Sequence, residues 1–419
     1  MLLSRVALFA YGLFGLPLAL VALPIYVYVP QFYAEQFGMS LAAIGTALLA
    51  ARMFDAFIDP ALGLWIDRRK AARGYGYFIL LALPALAAGF VALFHPPAAA
   101  RAQPFAWFLA CLLLVYVGFS LATIAYQSWG AALTQARSER SRLTGTREAC
   151  GLVGVLVAAA LPSVAGIGTL STVFVVTLLG SAALLLMRAP RPAMAAASAA
   201  SGGLHALQAL SEPFRDQRFR WLFAVFVVNG IAAAIPATLF LFFAKDRLQL
   251  GQYAGLFLVL YFAAAAVSLP LWVALARRRG EAWTWMVAML LAIAAFAWVY
   301  ALPAGAGAAT GFGIICVMSG FALGADLALP PALLAAVIAR AGHGGTREGA
   351  YFGAWSWATK MNLALAAGVA LPLLQRLGYV PGTVDADGTQ ALRIGYALLP
   401  CGLKLLAAAL LWRAPLNDL

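Results

Sequence analysis

The chain has 419 residues, of which 64% are hydrophobic and only 10% are charged, whereas about half and about a quarter are usual in soluble domains. The mean hydropathy is +0.91. This composition excludes a soluble globular protein, a disordered chain and a disulfide scaffold, and it leaves an integral membrane protein. The net charge of +13 is then expected to reflect membrane topology and attraction to anionic lipid, and no nucleic acid is expected as a partner.

Twelve apolar segments are long enough to span a bilayer as helices, which takes about 20 residues each. In chain order these segments are 6–29, 40–65, 76–95, 105–133, 147–166, 168–188, 220–243, 252–276, 282–302, 308–338, 349–375 and 391–412. The apolar runs are continuous, whereas the strands of a membrane barrel alternate over about ten residues. We therefore predict an all-α integral membrane protein with 12 transmembrane helices.

The arginine and lysine residues predict the orientation of these helices. With the N-terminus inside, the inner segments hold 20 of these residues and the outer segments hold five. The positive-inside rule requires such a bias. We therefore expect a multi-pass protein of the cell (inner) membrane with the N- and C-termini in the cytoplasm.

The longest inner loop divides the helices into six and six. We predict an N-terminal bundle over 1–188, a cytoplasmic linker over 189–219 with a short surface helix near its end, and a C-terminal bundle over 220–419. The sequence GTRE occurs at 145–148 and again at 345–348, at the start of helices 5 and 11. Two pseudo-symmetric halves are typical of transporters. We expect Arg147 and Arg347 to close the inner gate by contacting acids or helix C-termini.

Six ionisable side chains lie within the predicted spans, where each charge costs about 2.5–3.5 kcal/mol and is a functional candidate. They are Arg52, Asp55 and Asp59 of helix 2, Asp326 of helix 10, Lys360 of helix 11 and Lys404 of helix 12. On helix 2 the three side chains share one face, within about 60° of each other. Two carboxylates there predict a site for Na⁺ or a proton, with Arg52 as the counter-charge once the cation has left. The alternative is a structural ladder that pairs Arg52 with one carboxylate only.

The two lysines leave further alternatives open. Lys360 lies too deep in its helix to reach the membrane surface easily, so we expect it to reach an acid, either Asp326 or the pair on helix 2. Lys404 is expected either to pair with Asp326 or to contact the substrate.

Helices 1 and 2 carry a family resemblance. Tyr26-Val27-Tyr28, Ala51-Arg52, Asp55-Ala56, Asp59-Pro60 and Gly63 resemble the glycoside–pentoside–hexuronide:cation symporters of the major facilitator superfamily, and segment 63–69 (GLWIDRR) is similar to the superfamily signature between helices 2 and 3. The resemblance implies symport of a sugar-like solute with Na⁺, Li⁺ or H⁺ by alternating access. It implies that Asp55 and Asp59 carry the cation with help from a helix 4 hydroxyl, which is Ser120 here.

Several positions depart from that family. The acids that grip sugar hydroxyls are replaced by Ala19 and Thr123, a tryptophan by Gln127, and an asparagine beside the cation pair by Ile58. We assign Thr123, with Ser120, to the cation site. The lost acids favour an anionic solute such as a hexuronate. The alternatives are a cation-coupled transporter of a lysophospholipid or another amphipathic or anionic solute, and a sensor that binds its substrate without transporting it.

The substrate pocket is expected between helices 1, 4, 10 and 11. Aromatic rings stack on sugar faces, and charged groups hold an anion. The predicted lining consists of Tyr26, Arg52, Tyr126, Gln127, Trp129, Trp355 and Lys360. Gating contacts or charge pairs are expected at Asp67, Arg68, Arg147, Asp326, Arg347 and Lys404.

An enzyme is not expected, because the three histidines are far apart and the chain lacks the Gly-Lys pair of an ATP-binding loop. We expect no catalytic residue, no cofactor, and no metal site other than Na⁺ at Asp55 and Asp59. The expected partners are a small-molecule substrate, the coupling ion (Na⁺ or H⁺) and membrane lipid. We expect the protein to act as a monomer.

Overall fold

The computed structural model describes residues 4–133, 137–190, 212–342, 348–382 and 386–416. Within these ranges the chain is helical and contains no β-strand. Eleven helical stretches are long and apolar enough to cross a membrane. One of them, Gly145–Arg188, contains two helices joined at a kink. The described chain therefore has the twelve predicted spans, and the protein is an all-α, multi-pass membrane protein.

The first six helices follow the predicted order. Helix 1 consists of Arg5–Leu13 and Gly15–Phe37. Helices 2 and 3 together form Leu41–Phe94, and helix 4 is Pro104–Leu133. Helices 5 and 6 together form Arg137–Arg188.

The second six helices also follow the predicted order. Helices 7 to 11 are Gln217–Phe242, Ala254–Arg279, Glu281–Ala301, Ala309–Arg340 and Glu348–Arg376. Helix 12 consists of Ala386–Arg393, a π-helical turn at Ile394–Leu398, and Leu399–Arg413. A second π-helical turn, Phe243–Arg247, extends helix 7.

Two glycines separate neighbouring helices. Gly74 (φ 71°, ψ 164°) lies between helices 2 and 3, and Gly166 (φ 81°, ψ 168°) lies between helices 5 and 6. This combination of angles is essentially restricted to glycine, so the helix breaks there without a long loop. The breaks fall between the predicted segments 40–65 and 76–95, and at the junction of 147–166 and 168–188.

Some predicted boundaries are wrong by a few residues. The surface helix predicted at the end of the linker is a single 3-10 turn, Glu212–Arg215. Helix 7 begins three residues before the predicted 220, because the Asp216 side chain caps it by accepting a hydrogen bond of 2.9 Å from the backbone N–H of Arg218. Helix 12 begins before the predicted 391, because a polar turn precedes its apolar part.

The chain forms two compact units. One contains Met1–Met39 and Thr46–Ala200, and the other contains Ser40–Gly45 and Ser201–Leu419. Helix 1 packs against helix 5 in the first unit, and helix 7 packs against helix 11 in the second. These pairs have equivalent positions in two six-helix halves, as the sequence repeat predicts.

Glycines bring the paired helices close together. Gly154 of helix 5 faces the carbonyl group of Leu16 on helix 1. On helix 10, Gly320 and Gly324 face the backbone of helix 8. Small residues at such positions let helix backbones approach closely in a membrane, so helix 5 packs closely on helix 1, and helix 10, which carries Asp326, packs closely on helix 8.

Candidate cation and solute site

Asp55 of helix 2 is a fully buried carboxylate held by a base and a hydroxyl. Its Oδ2 lies 3.3 Å from Nη1 of Arg52, and its Oδ1 accepts a hydrogen bond of 2.5 Å from Oγ of Ser120. Arg52 is itself only 8% exposed. The three-residue spacing on a helix brings Arg52 and Asp55 onto one face, and helix 4 supplies the hydroxyl.

Two contacts fix how helices 2 and 4 are aligned. The guanidinium carbon of Arg52 lies 4.2 Å from the ring centroid of Tyr116, one turn before the contact of Asp55 with Ser120. Tyr116 lies 64 residues after Arg52 in the chain, and Ser120 lies 65 residues after Asp55. The two helices therefore run in the same direction here, and each turn of one faces the corresponding turn of the other.

The next turn in this alignment pairs Asp59 with Thr123. Asp59 is partly buried, and the Thr123 hydroxyl oxygen is buried without a hydrogen-bond partner among the described residues. Pro60 has no N–H, so the carbonyl oxygen of Ala56 loses its helical donor at this level. Carboxylate, hydroxyl and carbonyl oxygens thus lie along two successive turns.

The aromatic residues predicted for the pocket have different surroundings. Tyr26 of helix 1 is partly buried and lies within range of the Arg52 charge. Tyr126 exchanges hydrogen bonds with Tyr11: each hydroxyl donates to the carbonyl oxygen of the other residue, at 2.7 and 3.1 Å. Trp129 is buried and donates to the carbonyl oxygen of Pro190 at 2.9 Å. These bonds favour a packing role for Tyr126 and Trp129, whereas Gln127, which lies between them in the sequence, is exposed.

The second unit contains a partly buried acid, Asp326 of helix 10. Its Oδ2 lies 3.0 Å from Nζ of Lys404. Its Oδ1 accepts hydrogen bonds from Asn229 Nδ2 at 3.0 Å and from Trp285 Nε1 at 2.7 Å. Lys404 also donates to Oδ1 of Asn229 at 2.7 Å. This network joins helices 7, 9, 10 and 12, and it gives Lys404 the structural pair that was one of its two predicted roles.

Lys360 and Trp355 lie on helix 11 of the same unit. Trp355 is buried and stacks on Phe226, with ring centroids 3.6 Å apart. Lys360 is partly buried and is not among the partners of Asp326. The structure therefore does not bring Lys360 to the first of the two acids considered for it.

The predicted gating residues are only partly described. Arg147 pairs with Glu148, the next residue, at 2.5 Å, so the acid that it contacts is its sequence neighbour. Arg68 is exposed. Arg347 lies outside the described residues, as do the two residues before it in the second GTRE and the side chain of Asp67.

Sequence reasoning missed three residues that hold the buried charges. Tyr116 lies one helical turn before Ser120, and this spacing on helix 4 is the signal that points to it. Asn229 lies in an apolar stretch of helix 7, and Trp285 is one of three tryptophans in helix 9. A single polar group gives no indication of its partner, so these two required the structure.

Comparison with known proteins identifies the family. The model of a family described as MFS/sugar transport protein matches residues 8–418. The chain belongs to this family. It is therefore a transporter of the major facilitator superfamily and not an enzyme.

Relatives in this family match part of the chain. An isoprimeverose transporter of Lactiplantibacillus pentosus is 33% identical over 149 residues, which is 35% of this chain and 31% of the relative. An uncharacterized symporter of Bacillus subtilis is 29% identical over 133 residues, which is 31% of this chain and 29% of the relative. The matched segment thus spans about a third of the length of these relatives.

A solved structure with the same fold covers the whole chain. A mutant of the nucleoside transporter NupG aligns with a TM-score of 0.74 over 98% of this chain and 100% of that one, at 13% identity. Identity this low shows the fold alone. The twelve-helix arrangement of the MFS transporter family is therefore established independently of the solute.

Proposed function

We propose that this MFS transporter is a symporter that couples a cation, Na⁺ or H⁺, to a sugar-like solute of the glycoside, pentoside or hexuronide class by alternating access. The observation that carries the proposal is the fully buried Asp55, held between Arg52 and Ser120. A buried acid in a membrane helix is expensive to maintain, which favours a functional role over a structural one.

The geometry around Asp55 suits a cation that enters and leaves. The distance of 3.3 Å to Arg52 is longer than the roughly 2.7–2.9 Å of a tight ionic hydrogen bond. Arg52 therefore neutralises Asp55 without clamping it. Hard cations take oxygen ligands, and Asp55, Asp59, Ser120 and Thr123 offer them on facing helices.

The charges also account for coupling. Asp55 and Asp59 with Arg52 leave one net negative charge on this face, and one monovalent cation brings the face to neutrality. A charged face resists movement through the low-dielectric membrane, whereas a neutral face does not. The same reasoning holds for Na⁺ and for a proton.

The names of relatives support the solute class. Isoprimeverose is the solute named for one relative, and another is named a symporter. A second candidate is an anionic or amphipathic solute. It is favoured by the positive charge of Lys360, which lies within the apolar part of helix 11. We further propose that both termini and the basic loops face the cytoplasm.

Asp55→Asn and Asp59→Asn test the coupling. A thermal-shift panel of glycosides, pentosides and hexuronates first selects a radiolabelled sugar, which is then followed in proteoliposomes. Each substitution should reduce uphill accumulation driven by a Na⁺ or proton gradient to background, because the cation loses a carboxylate ligand. Exchange of labelled for unlabelled sugar should persist, which shows that the variant is folded.

Asp246→Asn is the matched control. Asp246 is also a buried acid, and it accepts hydrogen bonds from the Tyr379 hydroxyl and the Gly382 backbone N–H within the second unit. This variant should accumulate sugar like the wild type. Accumulation at the wild-type level by both helix 2 variants would refute the proposed cation site.

A further inference from the structure

The same five-residue pattern opens helices 3 and 9. Arg73 and Gly74 are followed by Tyr77, and Arg279 and Gly280 are followed by Trp283. Gly74 has φ 71° and ψ 164°, and Gly280 has φ 86° and ψ 151°. Each half of the chain therefore makes the same glycine-dependent turn, with arginine on one side and an aromatic ring four residues later.

In both copies the arginine lies over the aromatic ring. The guanidinium carbon is 4.8 Å from the Tyr77 centroid and 5.8 Å from the Trp283 centroid, within the range of about 6 Å for cation–π attraction. All four side chains are exposed. Across the described residues, Arg73 and Arg279 form no hydrogen bond or ion pair. Stacking uses the face of the guanidinium, so its N–H edge remains available to an oxyanion.

The surroundings of both pairs are basic. Arg68 and Arg69 precede the first pair, and Arg277 and Arg278 precede the second, all exposed. Glu281, in the first turn of helix 9, is the acid next to the second pair. Tyr77 and Trp283 are 36% and 44% exposed at the start of membrane-spanning helices, where aromatic rings sit at the level of lipid headgroups.

We propose that these two Arg–aromatic pairs are binding sites for the phosphate of an anionic phospholipid in the inner leaflet. The N–H edge of the guanidinium binds two phosphate oxygens. The ring holds the guanidinium in place and contacts the glycerol region. The preceding arginines add charge attraction, so an anionic headgroup is preferred over a zwitterionic one. The two lipid sites use none of the residues assigned to the solute and cation sites, and they do not depend on which sugar is transported.

Native mass spectrometry of the full-length protein tests the proposal. The probes are dioleoylphosphatidylglycerol and dioleoylphosphatidylcholine, titrated into detergent-solubilised protein. The wild type should retain two molecules of phosphatidylglycerol under conditions that remove phosphatidylcholine. Arg73→Gln and Arg279→Gln should each weaken one of them about fivefold, as expected for one basic residue at a lipid surface, and the double variant should weaken both.

Arg188→Gln is the matched control, because Arg188 is an exposed arginine at the end of helix 6. Its substitution removes the same single positive charge. It should leave lipid retention unchanged. Tyr77→Phe, which keeps the ring, should retain both lipids, and Tyr77→Leu should weaken only the lipid at Arg73. Melting temperatures measured without phosphatidylglycerol should match the wild type, since all these side chains are exposed.

Three results would overturn the proposal. One is equal retention of the two lipids. Another is an Arg188→Gln effect as large as that of Arg73→Gln, which would reduce the sites to general surface charge. The third is displacement of bound phosphatidylglycerol by millimolar inorganic phosphate, which would make this a site for a soluble anion instead of a lipid.

Discussion

Two charge-paired aspartates in this transporter, the buried Asp55 and the partly buried Asp326, have different hydrogen-bond environments. Asp326 accepts hydrogen bonds of 2.7–3.0 Å from Lys404 and from two neutral donors, Asn229 and Trp285. Both of its carboxylate oxygens are therefore satisfied. Asp55 accepts a hydrogen bond of 2.5 Å from the Ser120 hydroxyl and one of 3.3 Å from the Arg52 guanidinium. A fully satisfied network rigidifies its surroundings, which favours a structural role for Asp326. The ion pair of Asp55 is longer than that of Asp326, and the cation site proposed above rests on Asp55.

Lys404→Met tests the structural assignment. It should lower the free energy of unfolding by about 3–5 kcal/mol, because Asp326 stays buried without its counter-charge. Lys404→Met combined with Asp326→Leu should recover most of this loss, since replacing both charges by apolar groups is often neutral. Denaturant unfolding in detergent measures both. If Lys404→Met unfolds like the wild type but loses solute binding, Lys404 contacts the solute.

Helix periodicity and the family resemblance made the first charge cluster predictable, but not the second. Arg52 and Asp55 share a face because they are three residues apart, and the resemblance pointed to Ser120. The partners of Asp326 come from helices 7, 9 and 12. The most distant of them in sequence, Asn229, lies 97 positions before Asp326. No local pattern encodes such pairing. Asn229 and Trp285 therefore became apparent only once the helices were packed.

At the level of helices, hydropathy predicted the number of spans, and glycine conformation determined how they are joined. The break at Gly166 coincides with the predicted junction of helices 5 and 6 because the apolar run there is longer than one span. The π-helical turns Phe243–Arg247 and Ile394–Leu398 were not predicted. They bring Phe243 and Tyr396 into a stack with centroids 4.1 Å apart, so tertiary packing overrides the regular helical period.

Gly166→Ala isolates the backbone contribution at this break. A Cβ at Gly166 meets no atom within 4 Å, so the cost comes from the positive φ and should be about 1–3 kcal/mol. Gly168→Ala is the control, because Gly168 has ordinary helical angles. A Cβ added there would lie 3.8 Å from its nearest neighbour, Nε2 of His95. That variant should be neutral or slightly stabilised. Equal effects in thermal unfolding would show that the break tolerates a side chain.

Across the whole molecule, the two units share their helix pairing but differ in their buried charges. Helices 1 and 5 pack as helices 7 and 11 do, and the Arg-Gly turn occurs in both halves. The acid that pairs with a buried base is Asp55 of helix 2 in one unit and Asp326 of helix 10 in the other. The repeated sequence GTRE predicted the shared architecture. The cluster of Arg52, Asp55 and Ser120 that we propose as the cation site belongs to the first unit.

If the cation and the solute are coupled, each must change the affinity of the other by the same factor, because binding linkage is reciprocal. Calorimetric titration of the selected sugar, with and without saturating Na⁺, should give the same ratio of Kd values as titration of Na⁺ with and without sugar. Proton coupling would instead make the sugar Kd depend on pH and not on Na⁺. Asp55→Asn should bring the coupling factor to about one while sugar still binds. A wild-type sugar affinity independent of both Na⁺ and pH would contradict symport and leave a passive carrier.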